Sequence, residues 1–257
     1  MEIEERKKIA IEAVRRIGKL LRENFGKFLN IEGKGDRTLV TNIDLEAEKI
    51  IVQRIRKTYP QDDILSEENI YHIPNSDYKW IIDPLDGTHN YIHQIEIFGV
   101  SVALAFRGEV VLGIIYIPLS EELYIAQRGK GAYLNGKRIR VSQRKVKEAT
   151  LIFDSSIRQQ KEPMLNCLKE VADNVFNIRM FGSTARSLSY IAEGKADLEI
   201  EYNDKVWDFA AGLLLVEEAG GKATTLEGGR WSLNTEGYIA SNGLIHNSVL
   251  KMINNVR

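Results

Sequence analysis

"WIIDPLDGTHNYIH", residues 80–93, runs from an apolar stretch straight into two carboxylates. Trp80-Ile81-Ile82 has the composition of a buried strand. Asp83 follows, where a charge is costly unless it is paired or bound to a cation. Pro84 has no N–H to continue a ladder, so the strand is expected to stop there and the chain to turn, bringing Asp86 back toward Asp83. Gly87-Thr88 then open a segment with the free backbone N–H groups of a helix start, which favour an anion. Acids beside an anion-binding helix end would repel that anion. A divalent cation on hard oxygen ligands, most naturally Mg²⁺ between carboxylates and a phosphate, removes the conflict. Taken alone, Asp-Pro-Leu-Asp-Gly also reads as an ordinary loop, and both readings stand at this point.

Other acids sit where one element hands over to the next. "ILSEEN" (64–69) ends an apolar strand on Glu67-Glu68, a pattern shared with solvated loops. "KVWDFAAGLLLVEEAGG" (205–221) sets Asp208 beside Trp207 near the start of an apolar helix, where the helix dipole alone would suit it. "DRTLVTNID" (36–44) brings Asp44 to a helix start, where capping is the plainer explanation.

Around these acids the hydrophobic period changes twice. Ile9, Ala13, Ile17, Leu20, Leu21, Phe25 and Phe28 follow a helical rhythm, and a second helix runs from near Asn42 to Pro60. Residues 99–139 hold strands "GVSVALAF", "VVLGIIYIP", "ELYIAQ" and "GAYL", with Arg107-Gly108-Glu109 and Asn135-Gly136 as turns. The polar stretch "SQRKVKEAT" (142–150) divides the chain into residues 1–147 and 148–257, two halves of one catalytic unit. In the second half strands and helices alternate, which argues for α/β layering.

Composition narrows the classes. A net charge of −1 gives no electrostatic reason to expect nucleic acid or a membrane surface as partner. The start is acidic rather than signal-like, and no apolar run reaches membrane-spanning length, so a cytoplasmic location is expected. One cysteine, Cys167, rules out an internal disulfide or a cysteine-based metal site, and its amphipathic setting reads as core.

With these residues in view, the sequence resembles the inositol monophosphatase family of Mg²⁺-dependent sugar-phosphate phosphatases, including its archaeal and thermophilic inositol monophosphatase/fructose-1,6-bisphosphatase type. The segments "GDRTLVTNID", "ILSEEN", "WIIDPLDGTHNYIH", "GKGAYLNGKRIRVS", "GSTA" and "VWDFAAGLLLVEEAGG" carry the resemblance across nearly the whole chain. It implies an α-β-α-β-α layered fold, usually a homodimer, with two to three Mg²⁺ per site. It places one metal on Glu67, Asp83 and the Leu85 carbonyl, a second on Asp83, Asp86 and Asp208, and a weaker third near Glu67. Phosphate would lie against Asp86, Gly87 and Thr88, with the alcohol near Gly182, Ser183, Thr184, Glu201 and Asp208. Catalysis would use Glu67, Asp44 and Thr88 on the attacking water. Thr38 stands where the family commonly has aspartate, and Lys34 is not securely aligned. Phosphatases of the haloacid-dehalogenase type also carry Asp-x-Asp-Gly-Thr, but there one residue separates the acids, not Pro84 and Leu85 together.

The implied substrate is inositol monophosphate, with fructose 1,6-bisphosphate as alternative or second activity and a 3′(2′),5′-bisphosphate nucleotide behind both. Glu201 suits sugar hydroxyls. Arg179 and Arg186 lie near the proposed pocket in sequence; each could supply charge for a second phosphate or be simply a surface arginine. His89 and His93 flank the active loop, His89 being a conceivable general acid.

Overall fold

The computed structural model describes residues 2–27, 29–33 and 39–255, so Phe28, Lys34 and Thr38 lie outside the described residues. Helix α1 (Glu2–Asn24) buries the expected stripe, including Ile9, Ala13, Ile17 and Leu21, and carries Glu2, Glu4 and Glu5 in its first turn, where the helix dipole favours acids. A short antiparallel pair, β1 (Ile31–Gly33) and β2 (Leu39–Thr41), leads into α2 (Asn42–Thr58). Thr41 caps α2: its hydroxyl accepts from the Ile43 and Asp44 amides, while Asp44 accepts from the Thr41 amide.

Eight strands follow: β3 (Asp63–Ser66), β4 (Ile70–Tyr71), β5 (Tyr78–Asp86), β6 (Gly99–Phe106), β7 (Glu109–Ile117), β8 (Glu122–Gln127), β9 (Gly131–Leu134) and β10 (Lys137–Arg138). They form one sheet in the order β10-β9-β8-β7-β6-β5-β3-β4, with only β3 and β5 parallel. The predicted turns hold. Arg107-Gly108 has φ of 51° and 83°, and Asn135-Gly136 has 48° and 79°, the left-handed pairs that tight hairpins require. A short helix, α3 (Thr88–Ile92), interrupts the run between β5 and β6.

The second sheet has the order β12-β11-β13-β15-β14. Its strands are β11 (Thr150–Phe153), β12 (Asn177–Arg179), β13 (Leu198–Glu201), β14 (Lys222–Thr225) and β15 (Tyr238–Ser241). Helices α4 (Lys161–Ala172), α5 (Thr184–Ala192), α6 (Val206–Glu218) and α7 (His246–Asn254) alternate with them. Three cores glue the layers. Helices α1 and α2 pack on the large sheet through Ile17, Ile51, Trp80 and Ile114. Between the sheets, Leu188 of α5 and Leu213 of α6 meet Ile81, Ile115 and Tyr238. On the far side Met164, Cys167 and Val249 from α4 and α7 cover Leu151 and Ile200. The result is the expected α-β-α-β-α stack. Close approach is built in at Gly113, where a Cβ would stand 2.6 Å from the Ala211 carbonyl oxygen of α6.

One expectation fails informatively. Strand β5 does not end at Asp83-Pro84; pairing lapses and resumes at Asp86. Asp83 faces Ser101 and Asp86 faces Gly99, so Pro84 and Leu85 together oppose Val100 alone. This is a β-bulge, which accommodates the missing Pro84 N–H without ending the strand. In a regular strand, residues three apart point to opposite faces; one extra residue restores both acids to the same side.

Candidate active site

The bulge sets Asp83 and Asp86 on one side of β5, and α6 brings Asp208 to meet them from the first turn of a helix 122 positions beyond Asp86. One carboxylate oxygen from each of the three lies within 4.8 Å of the others. Glu67, just past β3, lines the same cleft, and its charge contributes to the upward shifts of all three neighbours. Asp83 and Asp208 are held well above the usual carboxyl range, first by burial and then by the surrounding acids. Asp86 is pushed up to about 6, again chiefly by burial.

Asp86 rises less because it is hydrogen-bonded. Ser183, the N-cap of α5, donates its hydroxyl to Asp86, the Thr184 amide donates at 3.0 Å and the Ala185 amide at 3.2 Å. Sequence reasoning assigned Ser183 and Thr184 to the substrate alcohol. They line the cavity, yet the Ser183 hydroxyl goes to Asp86 and the Thr184 hydroxyl to Asp204, at 3.0 Å.

Next to Ser183, Gly87 has φ of 84°, and a Cβ there would lie 2.9 Å from the Ile97 carbonyl oxygen and 3.3 Å from Ser183 Cβ, so the turn into α3 admits only glycine. Thr88 Oγ1 sits 3.0 Å from both Asp44 Oδ1 and the Leu85 carbonyl oxygen. Asp44 thus caps α2 and also holds Thr88. Burial raises its pKa even though Thr41 and Thr88 donate to it. The Leu85 carbonyl lies on the bulge, and its amide donates to Asp83 Oδ1 at 2.9 Å.

Two adjoining cavities share this floor. One, of about 700 Å³, is lined by Glu67, Asp83, Leu85, Asp86, Gly87 and Thr88. The other, of about 600 Å³, reaches from Asp86 and Asp208 past Gly182 to Glu201. All the residues expected to act therefore gather here, Asp44 through Thr88. Hard, buried, mutually repelling oxygen donors fit a divalent cation such as Mg²⁺.

Of the two readings of Arg179 and Arg186, the structure bears out the one away from the substrate. Arg186 is buried in an ion pair with Glu122 at 2.6 Å and lies over Tyr190, and Arg179 is exposed with its guanidinium on Asn177 and the Ile178 carbonyl. Neither lines either cavity. Arg158 and Lys205 do instead. His89 lines the larger cavity, stacked on His93 at 4.2 Å. Sequence reasoning also passed over Asp154 and Asp204, which line the smaller one. Asp154 repeats the strand-then-acid pattern of Asp83 in "LIFDSS"; Asp204 sits in a loop with no such signal.

The model of the inositol monophosphatase family matches residues 2–257. The chain is 37% identical over 248 residues to a fructose-1,6-bisphosphatase/inositol-1-monophosphatase of Thermotoga maritima, covering 96% of this chain and 95% of that protein. It is 36% identical over 248 residues to the Nus factor SuhB of Escherichia coli K12, covering 94% and 93%. Among solved structures, the extragenic suppressor protein suhB of Bartonella henselae superposes with a TM-score of 0.92 at 35% identity, covering 96% and 97%. An IMPase of Thermotoga maritima gives 0.90 at 37%, covering 98% of each chain.

Proposed function

The chain belongs to the inositol monophosphatase family, and from that premise we propose that it is a Mg²⁺-dependent phosphomonoesterase that hydrolyses inositol monophosphate by in-line attack of water. The observation that carries this reading is the convergence of Asp83, Asp86 and Asp208 within 4.8 Å, on a cleft shared with Gly87, Thr88 and Glu201. Glu67, Asp83 and the Leu85 carbonyl would hold one Mg²⁺, Asp83, Asp86 and Asp208 a second, with a weaker third near Glu67. Bound there, the ions supply Lewis acidity, lowering the pKa of the attacking water and offsetting charge on the ester.

The chain's own groups do the positioning. When Thr88 Oγ1 donates to Asp44 Oδ1, its lone pairs remain free to accept a hydrogen bond from water in the cleft, and as that water's proton passes to Oγ1 the hydroxyl's own proton passes to Asp44. The turn at Gly87-Thr88 offers amides to the phosphoryl oxygens, and Glu201 accepts from hydroxyls of the alcohol. Metal ligands come mainly from the 1–147 half, while Asp208 and Glu201 come from the 148–257 half. We read these halves as one catalytic unit because α6 packs directly on the large sheet. No described helix is long and apolar enough to cross a membrane. A cytoplasmic homodimer is the accompanying proposal, its assembly open to sedimentation analysis.

Fructose 1,6-bisphosphate is the second reading, favoured by the name of the Thermotoga relative. The test compares kcat/KM for inositol 1-phosphate, fructose 1,6-bisphosphate and 3′-phosphoadenosine 5′-phosphate, with Mg²⁺ and with chelator. Release should vanish with chelator, return with Mg²⁺ and be fastest per site for inositol 1-phosphate. Hydrolysis indifferent to chelator, or a phosphoaspartate trapped at Asp83, would overturn the mechanism.

A further inference from the structure

We propose that Ser183 is a positioning residue of the metal site: with the Thr184 and Ala185 amides it holds Asp86 in the one orientation that suits a cation, and its hydroxyl does not read the alcohol of the substrate. The inference rests on the phosphatase reading and changes the work of one residue within it.

A carboxylate oxygen has two lone pairs. Asp86 Oδ2 accepts from the Ser183 hydroxyl and from the Ala185 amide at 3.2 Å, which fills it. Oδ1 accepts from the Thr184 amide at 3.0 Å and keeps one lone pair. The other two acids are held more lightly among the described residues. Asp83 Oδ1 accepts from the Leu85 amide at 2.9 Å, and Asp208 Oδ2 from the Lys205 amide at 2.9 Å. Asp86 therefore has a single direction in which to meet a cation, and the donors on α5 choose it. Left to itself, its carboxylate would swing away from Asp83 and Asp208, since like charges repel. Three donors from one helix end oppose that swing, and the dipole of α5 favours a negative charge there.

The hydroxyls of "GSTA" have no proton left for a substrate. Ser183 Oγ gives its only proton to Asp86 and accepts from the Arg186 amide at 3.3 Å. Thr184 Oγ1 gives its proton to Asp204 at 3.0 Å, and Asp204 is held in turn by Tyr238 Oη at 2.9 Å. Both side chains are spent inside the protein.

The helix end is also fixed against the active loop. Asn90 Nδ2, on α3, donates to the Ile97 carbonyl at 2.8 Å and to the Phe181 carbonyl at 2.7 Å, joining the segment after Gly87 to the one before Ser183. Gly87 packs on Ser183 with no room for a Cβ between them. Asp86 lies in the 1–147 half and its three donors in the 148–257 half, so this ligand is set only when the two halves have docked.

The test uses the full chain as wild type, Ser183→Ala and Ser183→Gly. Glycine serves an N-cap nearly as well as serine, so Ser183→Gly removes the Asp86 bond while sparing α5. The first readout needs no substrate: the Mg²⁺ concentration at the half-maximal rise of the melting temperature. Both variants should need about tenfold more Mg²⁺ than wild type. The second is kcat/KM at one fixed, subsaturating Mg²⁺ concentration, which should fall by the same factor, within about twofold, for inositol 1-phosphate and p-nitrophenyl phosphate. Variants that bind Mg²⁺ as wild type does would overturn the inference. So would a defect confined to inositol 1-phosphate, which would return Ser183 to the alcohol. A defect of Ser183→Ala that is absent from Ser183→Gly would also overturn it, leaving capping as the serine's role. A wild type with no Mg²⁺-dependent release from either ester would instead bring down the phosphatase reading, and the melting curves would still decide what Ser183 does.

Discussion

Asp62 and Asp83 are both almost fully buried and both meet strand β5, one at Trp80 and the other three residues further along, yet their surroundings are opposite. Asp62 receives Arg6 through two hydrogen bonds of 2.9 Å and Trp80 Nε1 at 3.0 Å. The Arg6 guanidinium in turn lies over Tyr59 and Tyr78. Asp83 meets Glu67, Asp86 and Asp208. A buried carboxylate that folds with its own cation locks α1 to the sheet. A buried carboxylate that folds among other carboxylates is stabilised only when a cation arrives from outside. The difference separates a structural acid from a functional one more sharply than burial does, because burial is the same for both.

The largest expected effect breaks the functional side. Asp83→Asn should cost hydrolysis on the order of a thousandfold or more, since a shared metal ligand needs its full charge. Metal-free thermal melting of the same variant should be unchanged or higher, because one of several repelling acids has gone. Near-normal turnover would refute Asp83 as a ligand.

Arg6→Ala breaks the structural side. Leaving Asp62 buried without its guanidinium should cost about 3–5 kcal/mol, read from denaturant unfolding. Turnover per folded molecule should hold, and a variant as stable as wild type would show that the pair is dispensable.

A pH titration of the chelated protein sharpens the contrast. Asp86 has its folded pKa at about 6 against an unfolded 3.8, so between those values the native state holds more protons. Stability is then fully present below 3.8 and falls as pH rises through 6, by on the order of 3 kcal/mol from this group. Asp83 and Asp208 act in the same direction. Buried His246, bound between Thr224 and Ser241, opposes them: lowered from 6.5 to about 4, it loses stability as pH falls through that window. The acids outnumber it, so in chelator the unfolding midpoint should be higher at about pH 5.5 than at about pH 8, with Mg²⁺ erasing the difference. A chelated protein that strengthens toward pH 8 would contradict the repulsion described at the site.

The smallest effect sets the scale. Lys19 and Glu23 form a solvent-exposed pair 3.7 Å apart on α1, and Lys19→Ala should shift stability by less than about 0.5 kcal/mol. A larger loss would mean that exposed pairs matter here as much as buried ones.

Much of this was legible beforehand where the cause is local. The helical stripe of α1, the turns at Arg107-Gly108 and Asn135-Gly136, and the capping role of Asp44 depend on neighbours within a few positions. The acids at positions 67, 83, 86 and 208 were visible as charges in apolar company. Their partners were not. Arg186, open between the surface and the substrate, is committed to Glu122; Ser183, assigned to the alcohol by the resemblance, is committed to Asp86. Arg158, Asp154 and Asp204 gave little local sign of facing the same cleft.

The amino-acid order by itself determined most of the elements and the α/β alternation of the second half, because periodicity and turn chemistry act over short stretches of chain, while the full layering and the roles of the carboxylates came from the family resemblance. Tertiary structure alone decided which face Asp86 shares with Asp83, through a bulge set against Val100, and which charges find each other across the fold. Those outcomes turn on distances between remote segments, and a charge's meaning depends on what stands within a few ångströms of it once packing is complete.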